Sequence, residues 1–465
     1  MTQPGTPERP LRVAIIGSGP AGFYAADHLF RRKDLIIEVD MFDRLATPFG
    51  LVRFGVAPDH QKIKTAIKPF EKTASNPNFT FYGSVDFGSH LSLEDLKNHY
   101  HQICFATGAQ TDRQMGIEGE DLAGSHTATE FVAWYNGHPE YRDHVFDLSA
   151  ERIAVVGVGN VAVDVARILC RTPDELAKTD ITDYALEALA ECNVKEVYML
   201  GRRGPAQAAF TNPEAKELGE LQGADIYVPP AEAQLDPLSQ AYVDESDDRK
   251  LLKKIEIIQG FANKPATGKA RRLTLRFLVS PTELCGDSAG RVVTMKLVKN
   301  ELLDDGGRLR PKPTGEVEEL PVELVFRSVG YRGVPLPGIP FNDELGVVPN
   351  EKGRVTSDGT QATTGLYVTG WIKRGPTGII GTNKPDAGET VACMVEDLEH
   401  GSFNKPADPT PESIRSLIEK RQPQYVSFDD WRRLDQMEIA AGAAGGRPRV
   451  KFTSVEEIQS ALNKS

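Results

Sequence analysis

A glycine-rich run near the start of the chain has the residue types and the spacing that bind phosphate groups. Residues 17–22 read G-S-G-P-A-G and match the pattern G-x-G-x-x-G. In this pattern the first glycine makes a tight turn, the second lets the backbone approach a pyrophosphate, and the third lets a helix pack closely on a strand. The free N–H groups at the start of that helix favour negative charge. Gly17, Gly19 and Gly22 are therefore predicted to hold the phosphates of a dinucleotide.

An acidic residue follows this run at the distance that a dinucleotide site needs. Asp43 stands about 20 residues after the third glycine, at the end of the second predicted strand. There its carboxylate would accept hydrogen bonds from the hydroxyl groups of a ribose. Glu38 and Asp40 are alternative acids, but both lie inside the strand, before its end. The first site is thus predicted to take a dinucleotide with a free ribose.

A second glycine-rich run differs from the first in the residues that follow it. Residues 157–162 read G-V-G-N-V-A, and the strand predicted over Val194–Leu200 is followed by Gly201, Arg202 and Arg203. Arginine binds phosphate through two parallel hydrogen bonds, whereas a carboxylate at this place would repel it. The pair therefore favours the 2′-phosphate of NADP, and NADPH over NADH. The alternative is that both arginines belong to an ordinary solvated loop.

Two βαβ units are predicted to position these runs. Each has a buried strand before the glycine-rich run, a helix after it and then a second strand, which implies a parallel sheet. The two units are about one domain length apart, so each is expected in its own domain. The fold class is therefore α/β, with two Rossmann-like, doubly wound dinucleotide-binding domains. The predicted elements are Leu11–Ile16, Ala21–Arg32 and Leu35–Phe42 in the first unit, and Arg152–Val156, Val161–Arg171 and Val194–Leu200 in the second.

Outside these units, the pattern predicts further strands, one more helix and a poorly structured tail. Alternating apolar and polar residues are typical of strands in antiparallel sheets. The expected segments are an exposed acidic connection over Gln234–Asp248, antiparallel strands over Arg271–Val279 and Arg291–Lys299, a strand over Gly365–Thr369, a helix over Asp386–Leu398, a linker over Asn404–Pro411, and then two weakly helical segments with a loose run over Ala440–Pro448.

Composition and charge argue against several classes of protein. The chain has 465 residues and a net charge of −12, so two or three domains are expected and general affinity for nucleic acid is not. None of the five cysteines forms a C-x-x-C pair or a cluster at metal-ligand spacing, which argues against a metal site, a disulfide framework and a redox pair. No stretch approaches the ~20 apolar residues that span a bilayer, and residues 1–10 do not resemble a signal peptide. We expect a cytoplasmic protein.

Longer motifs point to one family. The motif segments are Pro48–His60 (PFGLVRFGVAPDH), Gly159–Arg167 (GNVAVDVAR), Gly201–Pro205 (GRRGP), Ser328–Tyr331 (SVGY) and Gly370–Gly378 (GWIKRGPTG). Together they closely resemble the adrenodoxin-reductase-type ferredoxin–NADP⁺ reductases, which have the fold of the glutathione-reductase-like superfamily. The resemblance extends roughly from Leu11 to Leu398. In the tail, Gly446–Val450 (GRPRV) resembles the bacterial, mycobacterial-type members.

The resemblance implies a division of the chain and a set of cofactor contacts. Residues 1–110 and 329–403 would form an FAD-binding domain, residues 111–328 an inserted NADP-binding domain, and residues 404–465 a C-terminal extension. The implied FAD contacts are Ser18, Asp43, Leu51, Val85, Trp371, Gly378, Ile379 and Ile380. The implied NADP contacts are Arg113, Gly159, Asn160, Val161, Arg202, Arg203, Glu214 and Gly378. For Trp371, packing in an ordinary core is the alternative to packing on the flavin.

Three titratable residues are catalytic candidates. The resemblance places His60 and Glu217 near the nicotinamide, where they would orient the ring or relay protons. Asp164, in the helix after the second glycine-rich run, is a third candidate. Each has a plainer alternative. His60, in its Pro-Asp-His turn, could simply brace a loop. Glu217 could equally be a surface acid, and Asp164 a solvated or capping helix residue.

The resemblance also implies the reaction and a partner. The chain would transfer electrons from NADPH through FAD to ferredoxin, with a hydride entering and single electrons leaving. Ferredoxins are acidic, so a basic docking surface is expected. One candidate cluster is Arg249, Lys250, Lys253 and Lys254, and another is Arg53, Lys62, Lys64 and Lys68. The alternatives are an NADPH-dependent electron-input module and a flavin-binding sensor without a ferredoxin partner, whereas the cysteines disfavour a disulfide reductase.

Overall fold

The computed structural model describes residues 3–357 and 359–463, and these fall into two units. The described parts of Met1–Val56, His60–Thr111 and Gly330–Ser465 form the first unit. Ala57–Asp59 and Asp112–Val329 form the second. Along the chain, the second unit is therefore inserted into the first. The short segment 57–59 belongs to the second unit, although the residues on either side of it belong to the first.

The bounds of the elements are as follows, in chain order. The strands are β1 (Leu11–Ile16), β2 (Ile37–Asp43), β3 (Phe79–Gly83), β4 (Gln102–Phe105), β5 (Thr111–Asp112), β6 (Ser125–Thr127), β7 (Arg152–Val156), β8 (Glu196–Gly201), β9 (Ala224–Tyr227), β10 (Arg271–Phe277), β11 (Val279–Gly286), β12 (Val292–Asp305), β13 (Arg308–Pro321), β14 (Leu324–Arg327), β15 (Tyr331–Arg332), β16 (Asn350–Glu351), β17 (Arg354–Thr356) and β18 (Ala362–Val368). The helices are α1 (Pro20–Phe30), α2 (Leu51–Phe54), α3 (Gln61–Lys64), α4 (Ile67–Ala74), α5 (Leu93–His99), α6 (Ala128–Tyr135), α7 (Asn160–Cys170), α8 (Pro173–Leu176), α9 (Asp183–Ala190), α10 (Asn212–Leu218), α11 (Pro230–Ala233), α12 (Pro237–Asp244), α13 (Arg249–Ala262), α14 (Trp371–Arg374), α15 (Asn383–Glu399), α16 (Pro411–Arg421), α17 (Phe428–Ala444) and α18 (Val455–Leu462).

The first unit is built on a sheet with the order β16-β17-β18-β4-β1-β2-β3. Its strands from β18 to β3 are parallel, and β16 and β17 continue the sheet in antiparallel pairing. In β1, Leu11, Val13 and Ile15 enter one apolar cluster, while Ala14 and Ile16 enter another. Burial on both faces explains why Val13–Ile16 of this strand are all apolar, as residues of parallel strands usually are.

The second unit repeats this plan around β7. Its main sheet has the order β6-β14-β7-β8-β10-β9, and all of its pairings are parallel. Ile153 and Val155 of β7 face one cluster, and Ala154 and Val156 face another. A separate antiparallel sheet, β11-β12-β13, belongs to the same unit. The predicted α/β fold with two parallel-sheet units is thereby confirmed.

The prediction for Arg271–Val279 is wrong in direction. Strand β10 over Arg271–Phe277 pairs in parallel with β8 and β9. The strand predicted over Arg291–Lys299 pairs antiparallel with Val279–Gly286 on one side and with Arg308–Pro321 on the other. Alternation of apolar and polar residues indicates only that one face of β10 is more buried than the other. It carries no information about the direction of the neighbouring strands.

The prediction of an exposed connection over Gln234–Asp248 is also wrong in part, because it contains α12. Asp236 caps this helix by accepting hydrogen bonds from the N–H groups of Leu238 at 3.1 Å and Ser239 at 3.0 Å. Pro237 at the first helical position suits a helix start. The Asp-Pro pair was the local signal for this helix, and the acidic composition obscured it.

The tail beyond residue 403 is more ordered than its sequence pattern predicts. It contains α16, α17 and α18, and Ala440–Ala444 of the predicted loose run forms the end of α17. Trp431 and Leu434 of α17 are buried in the same apolar cluster as Val13 of β1. The tail is therefore part of the core of the first unit. The tail contains few apolar residues, so their burial becomes evident only from the residues that they contact in the folded structure.

Candidate functional site

The first glycine-rich turn connects β1 to α1 in the first unit. Gly17 adopts φ +104°, and a Cβ atom there would lie 2.5 Å from the carbonyl oxygen of Ala106. A Cβ atom at Gly22 would lie 2.3 Å from the carbonyl oxygen of Gly17, so both positions require glycine. At Gly19 no atom of the described residues lies within 4 Å of the Cβ position. The backbone at Gly19 is therefore open, as close approach of a pyrophosphate requires.

Asp43 ends β2 and lies against this turn. Its carboxylate accepts hydrogen bonds from the N–H of Ser18 at 2.8 Å and from its hydroxyl at 2.5 Å. The two alternative acids of the strand are engaged elsewhere, because Arg12 pairs with Glu38 at 2.8 Å and with Asp40 at 2.5 Å. Asp43 is thus the acid of this strand that faces the glycine-rich turn. Its contact with a ribose stays a prediction.

The returning segment at Gly370 lies against the first turn of α1. Gly370 adopts φ +78°, and a Cβ atom there would lie 2.5 Å from the Cβ of Ala21. The N–H of Gly370 donates to Asp386 of α15 at 2.6 Å. Asp386 also pairs with the buried Lys373 at 3.2 Å. These contacts bring the GWIKRGPTG motif next to the first glycine-rich turn, although the two are far apart in the sequence.

Trp371, in the same motif, is half-buried and has two partners. Its ring stacks on Tyr331, with centroids 5.3 Å apart and an angle of 27° between the planes. Its indole N–H donates to the carbonyl oxygen of Thr377 at 3.1 Å. Trp371 is therefore held in one orientation at the edge of the first unit and is not enclosed in a core. Contact of Trp371 with a flavin stays a prediction.

The other predicted FAD contacts of the first unit differ in exposure. Val85 is buried, and its N–H donates to the carbonyl oxygen at the end of β2 at 2.9 Å. Leu51 and Ile379 are 39% and 60% exposed. Ile380 is half-buried, and Gly378 adopts φ +81°. Leu51 and Ile379 are therefore free to pack on an aromatic ring system.

The second glycine-rich turn repeats the geometry of the first between β7 and α7. Gly157 adopts φ +137°, and a Cβ atom there would lie 2.3 Å from the carbonyl oxygen of Ser328. At Gly159 nothing in the described structure lies within 4 Å of the Cβ position. Asn160 accepts a hydrogen bond from the N–H of Thr211 at 3.0 Å, which joins the turn to the start of α10. This turn is therefore also open to a pyrophosphate.

Glu214, on α10, has an unused hydrogen-bond acceptor. Its side chain is buried, and its Oε2 has no hydrogen-bond partner within the described residues. A buried acceptor without a donor is costly, and a ribose hydroxyl would supply that donor. Val161 is half-buried at the start of α7, and Arg113 is exposed. The acceptor of Glu214 fits a nucleotide, while the contacts of Val161 and Arg113 stay predictions.

Arg202 and Arg203 follow β8 with their backbone held and their side chains unpaired. Asn300 donates to the carbonyl oxygen of Arg202 at 2.9 Å, and Leu278 donates to that of Arg203 at 3.1 Å. Within residues 3–357 and 359–463, no acidic side chain pairs with either guanidinium. Burial lowers the pKa of Arg203, and the charge of Arg202 lowers it further. Binding of an anion by this pair stays a prediction.

A buried arginine collects the acidic candidates of the second unit. Arg167 of α7 donates to the two carboxylate oxygens of Asp59 at 2.6 Å and 2.9 Å. It also donates to Asp164 at 2.8 Å, and its Nη1 lies 3.5 Å from the carboxylate of Glu217. Arg171 adds a second positive charge, 2.7 Å from Asp59. We refer to these five residues as the Arg167 cluster.

The acidic side chains of the Arg167 cluster determine the direction in which the pKa of Arg167 shifts. Burial acts to lower the pKa of Arg167, but the charge of Asp164 and the hydrogen bond and charge of Asp59 outweigh it and raise the pKa. The side chains of Asp164 and Glu217 are 12% and 34% exposed. Asp164 is therefore neither solvated nor a helix cap, and Glu217 is not a free surface acid.

His60 belongs to the first unit and precedes α3. It is half-buried, and its imidazole makes no capping hydrogen bond to that helix. The residue before it, Asp59, is part of the Arg167 cluster. His60 is therefore joined by one peptide bond to a residue whose side chain is fixed. Its role at a nicotinamide stays a prediction.

Two residues of this site were not singled out from the sequence, namely Arg167 and Asp59. Both lie inside the motif segments, and neither has an unusual local pattern. Asp164 and Arg167 are three residues apart on an otherwise apolar helix. That spacing places their side chains on the same face, and it is the signal that would have indicated the pair.

The predicted basic cluster on α13 is largely exposed. Arg249, Lys250 and Lys253 are exposed, although Lys253 pairs with Glu256 at 2.8 Å. Lys254 is half-buried and donates to a backbone carbonyl oxygen, and burial lowers its pKa. The surface that α13 presents to a partner thus consists of the first three residues, and Lys254 contributes less than predicted.

The second predicted basic cluster is wrong in one residue. Arg53 is buried and paired with Glu438 at 2.9 Å and 2.5 Å, so it cannot belong to a docking surface. Lys62 and Lys68 are exposed and Lys64 is half-buried. Burial of Arg53 could not be foreseen because its partner lies 385 residues away in the sequence.

No helix within residues 3–357 and 359–463 has the length and the apolar content to cross a membrane. In the same residues, no group of three or more His, Cys, Asp or Glu side chains could hold a metal ion.

Comparison with known proteins finds relatives over nearly the whole chain. A family model described as pyridine nucleotide-disulphide oxidoreductase matches residues 11–203. The chain is 46% identical over 460 residues to the NADPH-ferredoxin reductase FprA of Mycobacterium tuberculosis, which covers 97% of this chain and 98% of that protein. It is 40% identical over 464 residues to the mitochondrial NADPH:adrenodoxin oxidoreductase of Bos taurus, with 97% and 92% covered. The solved structure of M. tuberculosis FprA in complex with NADPH has a TM-score of 0.92 at 46% identity and covers 98% of this chain and 100% of that chain.

Proposed function

Because the chain belongs to the family of the NADPH–ferredoxin and NADPH–adrenodoxin reductases, we propose that it is an FAD-dependent oxidoreductase that passes electrons from NADPH to ferredoxin. Bound FAD would convert two-electron transfer into one-electron transfer, since it accepts a hydride and releases electrons one at a time. The reaction is reversible in principle. The partner is an iron–sulfur protein, as the names of both relatives indicate.

The observation that best supports this function is the contrast between the two glycine-rich turns. Both turns are open at their second glycine, at Gly19 and Gly159. The first faces the carboxylate of Asp43, and the second belongs to the unit in which Arg202 and Arg203 carry unpaired charges. An acid suits the free ribose of FAD, and an arginine pair suits the 2′-phosphate of NADPH. The two units are therefore suited to different dinucleotides.

In the second unit, each functional side chain has a defined task in this proposal. The open backbone at Gly159 receives the pyrophosphate, and Arg202 and Arg203 bind the 2′-phosphate. The unpartnered Oε2 of Glu214 accepts a ribose hydroxyl. Arg167 pairs with the carboxylates of its cluster, and its contact with Glu217 at 3.5 Å helps to position that side chain for its predicted role beside the nicotinamide.

The experiment that tests the function begins with the visible spectrum of the purified protein. We expect the absorption bands of bound flavin, and we expect NADPH to bleach them under anaerobic conditions. NADPH should also reduce ferricyanide directly, whereas cytochrome c should be reduced only when a ferredoxin is added. Absence of bound flavin, or ferredoxin-independent reduction of cytochrome c at the same rate, would contradict the proposal.

His60→Gln is predicted to slow the reduction of the flavin by NADPH while FAD stays bound. Glutamine keeps a hydrogen-bonding group but cannot carry a proton at neutral pH. The expected loss is about 10-fold to 100-fold, near the lower end for a positioned acid–base group. Stopped-flow measurement of flavin bleaching checks this, with the exposed His400→Gln as the control. An unchanged rate in His60→Gln would remove this residue from hydride transfer.

The docking surface for the iron–sulfur partner is proposed to include Arg249, Lys250 and Lys253 on α13. These side chains are exposed and lie within five residues of one another on α13, in a chain whose net charge is −12. Local charge steers association more than the total charge does. Lys62 and Lys68 form a second, smaller candidate patch in the first unit.

Replacement of Arg249, Lys250 and Lys253 by alanine is predicted to slow electron transfer to ferredoxin and leave ferricyanide reduction unchanged. The expected loss in kcat/KM for ferredoxin is about 10-fold at low ionic strength, the smaller end of electrostatic steering, and it should shrink as salt is added. Removal of Arg308, Arg310 and Lys312, which are exposed on the β12–β13 hairpin, makes the same change in charge elsewhere. Equal losses in the two triple variants, or a rate that does not depend on salt, would argue against the α13 patch.

A cytoplasmic location is part of the same proposal. All five cysteines are free, as is usual for proteins in a reducing compartment. Fractionation of cells that express the tagged protein tests this.

A further inference from the structure

The turn at Phe49 and Gly50 has an unusual backbone and lies against the first glycine-rich loop. Phe49 adopts φ +83°, a region that residues other than glycine rarely enter. Its N–H donates to the carbonyl oxygen of Ser18 at 3.0 Å, and a Cβ atom at Gly50 would lie 3.0 Å from the Cα of Gly19. A strained residue persists only where the surrounding structure holds it. The elements that hold this turn therefore also shape the loop beside it.

The C-terminal tail holds the other side of this turn. The ring of Trp431, on α17, meets the ring of Phe49 edge-on, with centroids 5.9 Å apart. The same ring lies 5.0 Å from the guanidinium of Arg53, on α2. Both rings are buried, so the apolar contact and the cation–π attraction act together. One tail side chain thus contacts the strained residue and the helix that follows it.

Glu438, about two turns of α17 beyond Trp431, is the centre of a buried ion network. Arg53 donates to its two carboxylate oxygens at 2.9 Å and 2.5 Å. Arg449 donates to Glu438 at 3.0 Å and to Asp435 at 2.6 Å, and the N–H of Phe452 donates to Glu438 at 2.9 Å. Burial acts to raise the pKa of Glu438, but the charges of Arg53 and Arg449 lower it below its usual value. The carboxylate is therefore ionised and fully paired.

This network fixes a position more than it adds stability. Buried ion pairs contribute little net free energy, but removal of one partner leaves the other charge buried and unpaired. The side chain of Glu438 is completely buried and that of Arg53 is 5% exposed, so neither charge can reach water in this conformation. Arg53 is consequently confined to the place where Glu438 holds it, and the Phe49–Arg53 segment is confined with it.

We propose that residues 428–452 form a clamp that holds the Phe49–Arg53 segment in the conformation that binds FAD, with Glu438 as its positioning residue. The inference rests on the proposed function, because it takes the first glycine-rich loop as the FAD site. The clamped segment carries Leu51, whose apolar side chain is 39% exposed, and it touches the loop at Gly19. The clamp therefore positions an apolar group beside a phosphate-binding backbone.

The test uses the full-length holoprotein and three variants. Glu438→Gln preserves the shape of the side chain and removes its charge. Gly442→Ala disturbs the clamp without changing a charge, because the added Cβ would lie 2.5 Å from the Cα of Arg449. Gly445→Ala is the matched control from the end of the same helix, where the nearest atom would lie 3.7 Å from the added Cβ.

Two quantities are measured for each variant: the Kd for FAD, from the flavin fluorescence released on dilution, and the rise in unfolding temperature that added FAD causes. We expect Glu438→Gln and Gly442→Ala to raise the Kd about 10-fold to 100-fold, the order set by the strain of one such residue. The FAD-induced rise in unfolding temperature should shrink accordingly. Gly445→Ala should match the wild type in both measurements.

A purely structural role of the tail predicts a different pattern. Both variants would then unfold at a lower temperature with and without FAD, while their Kd for FAD stayed at the wild-type value, and this outcome would overturn the clamp. If Glu438→Gln does not fold, the comparison of Gly442→Ala with Gly445→Ala decides alone. If the wild-type protein binds no FAD, the proposed function itself is wrong. If the wild type binds FAD, but no more tightly than both variants do, only the clamp is wrong.

Discussion

Replacing Arg202 and Arg203 together by alanine is expected to weaken the use of NADPH by about 100-fold to 10,000-fold, since a hydrogen bond to a charged group contributes about 1.5–3 kcal/mol and two such groups are lost. NADH has no 2′-phosphate, so its use should change by less than about threefold, the size of a weak surface effect. Both guanidinium groups lack an acidic partner in the described structure, so the alanine variant leaves no carboxylate unpaired. Steady-state kcat/KM for both nucleotides, with ferricyanide as acceptor, gives the ratio.

The control for this variant is the removal of two arginines from another part of the second unit. Arg308 and Arg310 are exposed on the β12–β13 hairpin, and their replacement by alanine changes the net charge by the same amount. This control should leave the preference for NADPH as it is. Similar losses for NADPH and NADH in the Arg202 and Arg203 variant would show that the pair does not read the 2′-phosphate.

Arg167→Met is expected to lower the free energy of unfolding by about 3–5 kcal/mol, the usual cost of removing one partner from a buried ion pair. Asp59, Asp164 and Glu217 would lose their common positive partner, and their carboxylates would repel one another. The variant should also slow flavin reduction by NADPH about 10-fold to 100-fold, because small displacements of positioning groups have effects of this order. Urea unfolding and stopped-flow bleaching measure the two effects.

Arg276→Met is the matched control for the effect on the rate. Arg276 pairs with Glu232 at 2.8 Å and with Glu318 at 2.7 Å, and its side chain is 13% exposed, so its loss also breaks a largely buried ion network of the second unit. It should lower stability without slowing flavin reduction. If the two variants reduce the flavin at the same rate, the Arg167 cluster has only a structural role.

The geometry of the two glycine-rich turns could be predicted from the sequence because its requirements are local. A Cβ atom at Gly17 or Gly157 would collide with backbone, and open access is needed at Gly19 and Gly159. These requirements fall on neighbouring residues, so a short pattern contains them. The same holds for Arg202 and Arg203, whose place directly after a strand is visible in the sequence. The first strand of each βαβ unit was likewise predicted to the residue.

The pairing of distant charges could not be predicted in this way. Asp59 and Arg167 lie 108 residues apart, and each belongs to a motif that gives no sign of the other. In the sequence Arg53 has the pattern of a surface arginine, and only its pairing with Glu438 in the folded chain explains its burial. A charged side chain is buried only where a counter-charge is available, and the position of that counter-charge depends on the whole fold. The identity of a motif residue therefore did not indicate its partner.

By itself, the sequence determined the class of fold and the two glycine-rich turns, and it predicts a 2′-phosphate at the second, because turn geometry and phosphate binding depend on residues that are close together in the chain. Only the tertiary structure decided which acids are held by Arg167, that Arg53 is internal, and that the tail packs on the turn at Phe49. These features depend on burial and on charge pairs between segments that meet only after folding. The glycine-rich turns are thus visible as short sequence patterns, whereas the residues around them are positioned by contacts between distant segments that no local pattern contains.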